Sequence, residues 1–317
     1  MYKVKLIPYQ IDEVYSSANE IPPGVQMIHA PKFWDKTGNK GDGVVIAVLD
    51  TGCQADHPDL KGQIIEGVNF TDDDQGDPHN ISDGNGHGTH VAGTIAAVEN
   101  GKGVIGVAPK AKLLILKVLN SQGQGTYQSI TNAIHYAIDW RGKNDERVRV
   151  ISMSLGGPVY DYQMHMAIRR ATESGIVVIC AAGNEGKQED NWDETIEIAY
   201  PGALPEVIQV GAVDLNQKIA YFSNTNDQID LVAPGVQIIS TIPDNKYARF
   251  SGTSMATPHV AGAAALILSQ GEKEFRRKFN EAEIYSQICK HTIPLGNSKW
   301  AEGNGLLDLA YLERVNC

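Results

Sequence analysis

Val45-Ile46-Ala47-Val48-Leu49-Asp50-Thr51-Gly52 sets five apolar residues in a row against a carboxylate and a turn. An uninterrupted run of that length reads as a strand covered on both faces, the pattern of a parallel sheet. Working outward, similar runs predict strands near Val44–Leu49, Leu113–Val118, Val148–Met153 and Ile176–Ala181. Amphipathic stretches between and after them predict helices near Thr89–Val98, Thr126–Trp140, Gln163–Ser174 and Met255–Ser269. Shorter strands are expected near Val207–Val213, Ile229–Ala233 and Gln237–Thr241. Strands alternating with helices imply an α/β fold: a single-domain three-layer sandwich with a mostly parallel central sheet flanked by helices. In such sheets the ligand crevice lies beyond the carboxyl ends of the strands. Asp50, Ser154 and Asn184 all fall at those ends.

The chain has 317 residues, is 42% hydrophobic and carries a formal charge of −11. The acidic balance argues against a nucleic-acid backbone or an anionic membrane as partner. No stretch approaches the roughly 20 apolar residues of a spanning helix, and Met1–Gln10 lacks the apolar core of a secretion signal. Cys53, Cys180, Cys289 and Cys317 form no C-x-x-C pair and fit reduced thiols, so the expectation is a cytoplasmic enzyme. Pro22-Pro23-Gly24 looks like a loose joint between a short tail, residues 1–18, and one domain, residues 19–317.

Amide hydrolysis by an alcohol needs a hydroxyl nucleophile, a base near neutrality and a carboxylate that orients the base. Asp50-Thr51-Gly52 supplies a carboxylate, although an Asp after a strand is ordinarily a turn former. Gly86-His87-Gly88-Thr89-His90-Val91-Ala92-Gly93 supplies an imidazole at a helix start, and helical spacing leaves His87 and His90 both open. Zinc is disfavoured there, because no Glu stands in an H-E-x-x-H arrangement. Ser251-Gly252-Thr253-Ser254-Met255-Ala256-Thr257-Pro258 supplies hydroxyls at a helix N-terminus; each could be a plain N-cap, with Pro258 accommodated in the first turn. A hydroxyl there also lies beside unpaired N–H groups that stabilise developing oxyanion charge.

Together these three segments resemble the signatures of the subtilisin family, in the chain order Asp, His, Ser that is the family's own. The resemblance spans roughly Pro22 to Leu309 and is nearest the intracellular subtilisins of bacilli. It implies that Asp50 orients, His87 acts as base then acid, and Ser254 is the nucleophile. Asn184 would donate its amide to the oxyanion. Gly123-Gln124-Gly125 and Ser154-Leu155-Gly156 would grip the substrate backbone as an added strand, and Ala182, Gly183 and Gly156 would line the pocket for the side chain before the cut. The acidic segment 186–198 is longer than in secreted members and leaves that pocket's preference open.

The resemblance also implies a tight Ca²⁺ site from Asp59, Asn100, Asn19 and the carbonyls of Val98, Lys102 and Val104. A weaker cation site would use Asp230 with carbonyls of Gly202, Leu204 and Val207. Asp72-Asp73-Asp74 reads as a solvated charge run, and Gly101–Gly106 fits G-x-G-x-x-G but follows a helix and precedes a strand, which excludes a dinucleotide fingerprint. Where secreted relatives carry a long pro-domain, this chain offers Leu6-Ile7-Pro8-Tyr9. That segment is expected to lie across the active site in a non-productive register, with removal near Tyr15–Ala18 activating the enzyme. Cys53 is expected to be packed. A broad-specificity endopeptidase forming a homodimer is the expectation; a silent peptide-binding relative would require a missing triad member, and an esterase or ligase would use the same acyl-enzyme.

Overall fold

The computed structural model describes residues 3–186 and 196–310. Its centre is a nine-stranded sheet. In spatial order the strands are Thr292–Ile293, Leu306–Leu307, Ile229–Pro234, Val207–Val213, Val177–Ala181, Val148–Met153, Val45–Asp50, Lys112–Lys117 and Ile64–Asn69. All neighbours run parallel except the terminal pair Thr292–Ile293 and Leu306–Leu307.

Val45–Asp50 is buried at every position because helices cover both of its faces. Ile46 and Val48 join a core with helices His87–Ala96 and Thr253–Phe275, whereas Val45, Ala47 and Leu49 join a second core with helices Tyr127–Asp139 and Tyr162–Glu173. The three-layer expectation is met. The order of connections reverses beside this strand: Lys112–Lys117 and Ile64–Asn69 lie on one side, and all later strands on the other. The crevice of a doubly wound sheet opens at that switch, so Asp50 stands at its mouth.

Three sequence readings change. Ile64–Asn69 is an edge strand that Glu66 and Gly67 concealed. Pro22–Gly24 is no loose joint: Pro23 opens the short helix Pro23–Met27, and a Cβ on Gly24 would lie 2.5 Å from Nε2 of His259. The 23-residue helix Thr253–Phe275 starts two residues before Met255, which moves Pro258 beyond the first turn. Among the described residues no helix is long and apolar enough to cross a membrane, and Cys53, Cys180 and Cys289 are free thiols. Cys317 and most of segment 186–198 lie outside the described residues.

Candidate active site

Asp50 ends the central strand with its carboxylate turned to the neighbouring helix. Oδ1 accepts from the Thr51 N–H at 2.7 Å and faces Nδ1 of His87 at 2.8 Å. Both side chains are buried. A carboxylate on Nδ1 fixes the tautomer, with the proton on Nδ1 and a lone pair on Nε2. Nε2 of His87 is buried and has no protein partner. The glycines around His87 answer to this crossing: a Cβ on Gly88 would lie 2.1 Å from the Gly52 carbonyl oxygen, and Gly86 adopts φ 100°.

His90, open as the alternative base, lies flat against Phe250 with ring centroids 4.4 Å apart. Its Nε2 sits between the carbonyls of Ile238 and Ala248 at 2.9 and 3.2 Å. Burial, reinforced by neighbouring His87, pushes its pKa down to about 3. A ring so held has no access to a substrate proton.

Ser254 is the second residue of the long helix. Its Oγ donates to the Ser154 carbonyl at 3.3 Å, while the Ser154 hydroxyl donates to the Ser254 carbonyl at 3.0 Å. Pro258 explains the second bond, since it lacks the N–H that would meet the carbonyl four residues earlier. The same element thus keeps that carbonyl satisfied and ties the serine to the end of strand Val148–Met153.

Asn184 is aimed by Thr253. Its Oδ1 accepts from the Thr253 N–H at 2.9 Å and hydroxyl at 2.8 Å, which leaves Nδ2 pointing outward. That Nδ2 donates to the Pro8 carbonyl at 2.5 Å. Ala182 and Gly183 adjoin it, tied through Asn224, whose amide donates to the Ala182 carbonyl at 3.0 Å.

The tail runs through this crevice. Strand Lys3–Leu6 lies antiparallel between Gln124–Thr126 and Leu155–Gly156, with Lys5 opposite both Gln124 and Gly156 and Leu6 opposite Leu155. The Leu6 N–H donates to the Gly123 carbonyl at 2.8 Å. Ile7 is buried close to Gly156. The Tyr9 ring packs on His87 and Phe250 at centroid distances of 4.9 and 5.0 Å, with its hydroxyl donating to Asn85 at 3.2 Å. Burial and the charges of Asp50 and Asp83 push the Tyr9 phenol up to about 12. The segments named from sequence as substrate edges and as extension are therefore in contact with one another.

Asp83 was not singled out from sequence, where Asp83-Gly84 reads as a turn. One carboxylate oxygen accepts from the Thr51 hydroxyl at 2.8 Å and from the N–H groups of Asn85 and Gly86 at 3.1 and 2.8 Å. The other accepts from the Thr89 N–H at 2.8 Å and hydroxyl at 2.6 Å. The Thr51 oxygen in turn accepts from the Gly88 N–H at 2.9 Å. One buried carboxylate thereby pins the end of the Asp50 strand to the first turn of the His87 helix. Burial, with Asp83 and Asp50 close by, raises the Cys53 thiol well above its ordinary value, so Cys53 is packed as a neutral thiol. Asp73 also departs from its reading as a solvated charge: it pairs at 3.0 Å with Lys117, a fully buried lysine at the end of its strand.

The residues named for calcium come together away from the crevice. Asp59 is buried, and its oxygens accept from the Asn100 amide at 2.9 Å and the Val104 N–H at 2.9 Å. The Val98 N–H donates to the Asp59 carbonyl at 2.8 Å. Asn19 pairs in register with Gly103, and the Lys102 N–H donates to Asn100 Oδ1 at 3.1 Å. The donors are all oxygens from carboxylate, amide and main chain, and no lysine or arginine among the described residues pairs with Asp59, a set that fits a hard cation. Asp230 differs. Its oxygens accept from the Gln209 N–H at 2.8 Å and the Tyr285 hydroxyl at 2.7 Å, and burial pushes its pKa up to about 6. It shares a surface cavity with Leu204 and Val207, whereas Gly202 packs near the Ala181 and Ala199 carbonyls.

Known proteins resemble this chain over most of its length. The sequence profile described as Subtilase family matches residues 41–306. An intracellular serine protease of Paenibacillus polymyxa is 56% identical over 314 residues, 99% of this chain and 93% of that protein. The major intracellular serine protease of Bacillus subtilis is 50% identical over 97% of this chain and 93% of its own length. Subtilisin DY of Bacillus licheniformis is 42% identical over 92% of this chain and 98% of its own. With its sheet, its buried Asp-His contact and its helix-borne serine in place, the chain belongs to the subtilase family of serine proteases.

Proposed function

We propose that this subtilase is an intracellular endopeptidase of broad specificity that works through Asp50, His87 and Ser254 and is restrained by its own N-terminal extension. The observation that carries the reading is the 2.8 Å contact of Asp50 with His87, which leaves Nε2 as the free lone pair beside the serine-bearing helix. In the reaction, Ser254 Oγ turns from the Ser154 carbonyl to His87, gives up its proton to Nε2 and attacks the substrate carbonyl. The Asn184 amide, aimed by Thr253, stabilises the oxyanion. His87 then protonates the leaving amine, and water repeats the sequence on the acyl-enzyme. Breadth of specificity follows from a grip on substrate backbone between Gln124–Thr126 and Leu155–Gly156. The Paenibacillus polymyxa and Bacillus subtilis relatives are both named intracellular serine proteases, which supports an intracellular setting.

Autoinhibition rests on register. Pairing of Lys5 with Gly156 and burial of Ile7 beside that glycine put Ile7 in the place of the residue before the cut. The carbonyl on the Asn184 amide nevertheless belongs to Pro8, one residue later. Proline lacks the N–H and fixes φ, so the chain slips past the position from which its Ile7–Pro8 bond would be attacked.

Calcium would be held by Asp59, Asn100, Asn19 and the carbonyls of Val98, Lys102 and Val104. It would supply positive charge to a buried carboxylate and brace the loop, without taking part in the chemistry. A homodimer, implied by the resemblance, is tested by light scattering. The test of the main reading is a fluorescent fluorophosphonate added to full-length protein and to protein lacking residues 1–17. Labelling is expected to be slow for the first, at least tenfold faster for the second, and absent after Ser254→Ala. Equal labelling of the two forms overturns autoinhibition, and labelling that survives Ser254→Ala overturns the nucleophile.

A further inference from the structure

The extension does not stop at the triad. Beyond Tyr9 it forms strand Gln10–Tyr15, which runs antiparallel along Lys246–Ser251, itself paired on its other side with Ile238–Ile242. Gln10 stands opposite Ser251, Ile11 opposite Phe250, Glu13 opposite Arg249 and Tyr15 opposite Tyr247. Little of this strand is buried: Ile11 and Val14 are 57% and 54% exposed. What the edge recognises is backbone, together with two side-chain contacts. Ser251 Oγ donates to Asp12 at 2.5 Å, and Arg249 lies over the Tyr15 ring at 5.7 Å while its Nε donates to the Tyr15 hydroxyl at 3.0 Å. That hydroxyl donates to Glu13 at 2.5 Å.

We infer that, once the extension has gone, the edge Lys246–Ser251 takes the part of the substrate that follows the cut, as an added β-strand reaching to about the eighth residue beyond it. This rests on the serine-protease reading above. Three observations support it. The extension pairs antiparallel with Gln124–Thr126 and Leu155–Gly156 and, from Gln10 onward, antiparallel with Lys246–Ser251, so a substrate gripped by the first two edges can follow the same course to Ser251. Removal near Tyr15–Ala18 strips that edge of the strand paired with it there among the described residues, leaving a row of unpaired N–H and C=O groups close in sequence to Ser254. The poor burial of the departing strand means its sequence is not what holds it, so other sequences fit. The substrate class is an extended, unfolded polypeptide held through its backbone. Short peptides and tight surface loops fill only part of such an edge.

The test uses protein lacking residues 1–17. Peptides with one fixed sequence before the cut are followed by two or by eight residues, and a short chromogenic amide with the same leading sequence serves as control. The eight-residue tail is expected to raise kcat/KM at least about tenfold, mainly through KM, since two or three added backbone hydrogen bonds suffice for that. N-methylation at the backbone positions facing the edge is expected to remove the gain. Equal kcat/KM for both lengths, or a gain that survives N-methylation, overturns the inference. Failure to hydrolyse the chromogenic amide overturns instead the serine-protease reading beneath it.

Discussion

Asp83 accepts five hydrogen bonds and, among the described residues, forms no ion pair, an expensive way to keep a carboxylate inside a protein. Its donors belong to the two segments whose relative placement sets the Asp50–His87 contact, so Asp83 is a positioning residue for the triad. Asp83→Asn keeps the shape but loses the charge and part of the acceptor capacity. We expect kcat to fall at least about tenfold with KM within about twofold, the mark of a triad held out of place rather than of weakened substrate binding. A variant that merely loosened the fold would lower the active fraction and leave kcat per active site unchanged. Turnover of an active-site-counted preparation decides between them.

Among elements, those whose chemistry is local were legible beforehand. Val45–Asp50 shows five apolar residues in a row because both faces are covered, and the helix Tyr127–Asp139 announces itself through Thr126, whose side chain caps it by accepting from Ser129. His87, Ser254 and Asn184 were found as motifs, since glycines forced by backbone crossings leave a mark on sequence. Asp83 and Lys117 left none: an Asp before Gly reads as a turn and a Lys at a strand end as solvated, and each owes its burial to residues far along the chain. Ile64–Asn69, at the sheet's edge, had no need of a continuous apolar run. The loop Val98–Val104 sits between these cases, for its Asn100 amide and Val104 N–H meet the Asp59 carboxylate while Gly103 and Val104 pair with the distant Asn19–Glu20 strand. If calcium braces it, a thousandfold excess over Kd adds about 4 kcal/mol of stability, some 5–10 °C in Tm. Asp59→Asn is expected to erase the difference between calcium and chelator without losing the fold, as scanning calorimetry of Ser254→Ala protein can show. A midpoint indifferent to calcium in the parent would remove the metal from the account.

At the scale of the whole molecule, the helices covering one face of the sheet carry histidines that their surroundings keep neutral. His259 is fully buried in the long helix, its Nδ1 bonded to the Met255 carbonyl at 2.9 Å, and burial pushes it down to about 4; His90 is pushed down to about 3. Both values lie below the roughly 6.5 of an unfolded histidine. Between the two values the unfolded chain therefore binds more protons than the folded one, and stability falls as pH drops below about 6.5, the loss ending only near 3 to 4. At pH 5 each ring accounts for about 2 kcal/mol, at 1.36 kcal/mol per pH unit. Urea unfolding of Ser254→Ala protein at pH 7 and pH 5 is expected to show the loss, and His259→Leu should shrink the difference between the two pH values by about 2 kcal/mol whatever it does to stability at pH 7. The variant removes a protonation site that only the unfolded state fills, so the sign is fixed by burial alone. An unchanged pH difference would mean that the ring is reached by protons in the folded state, and that the packing of Gly24 against His259 is looser than a Cβ distance of 2.5 Å implies.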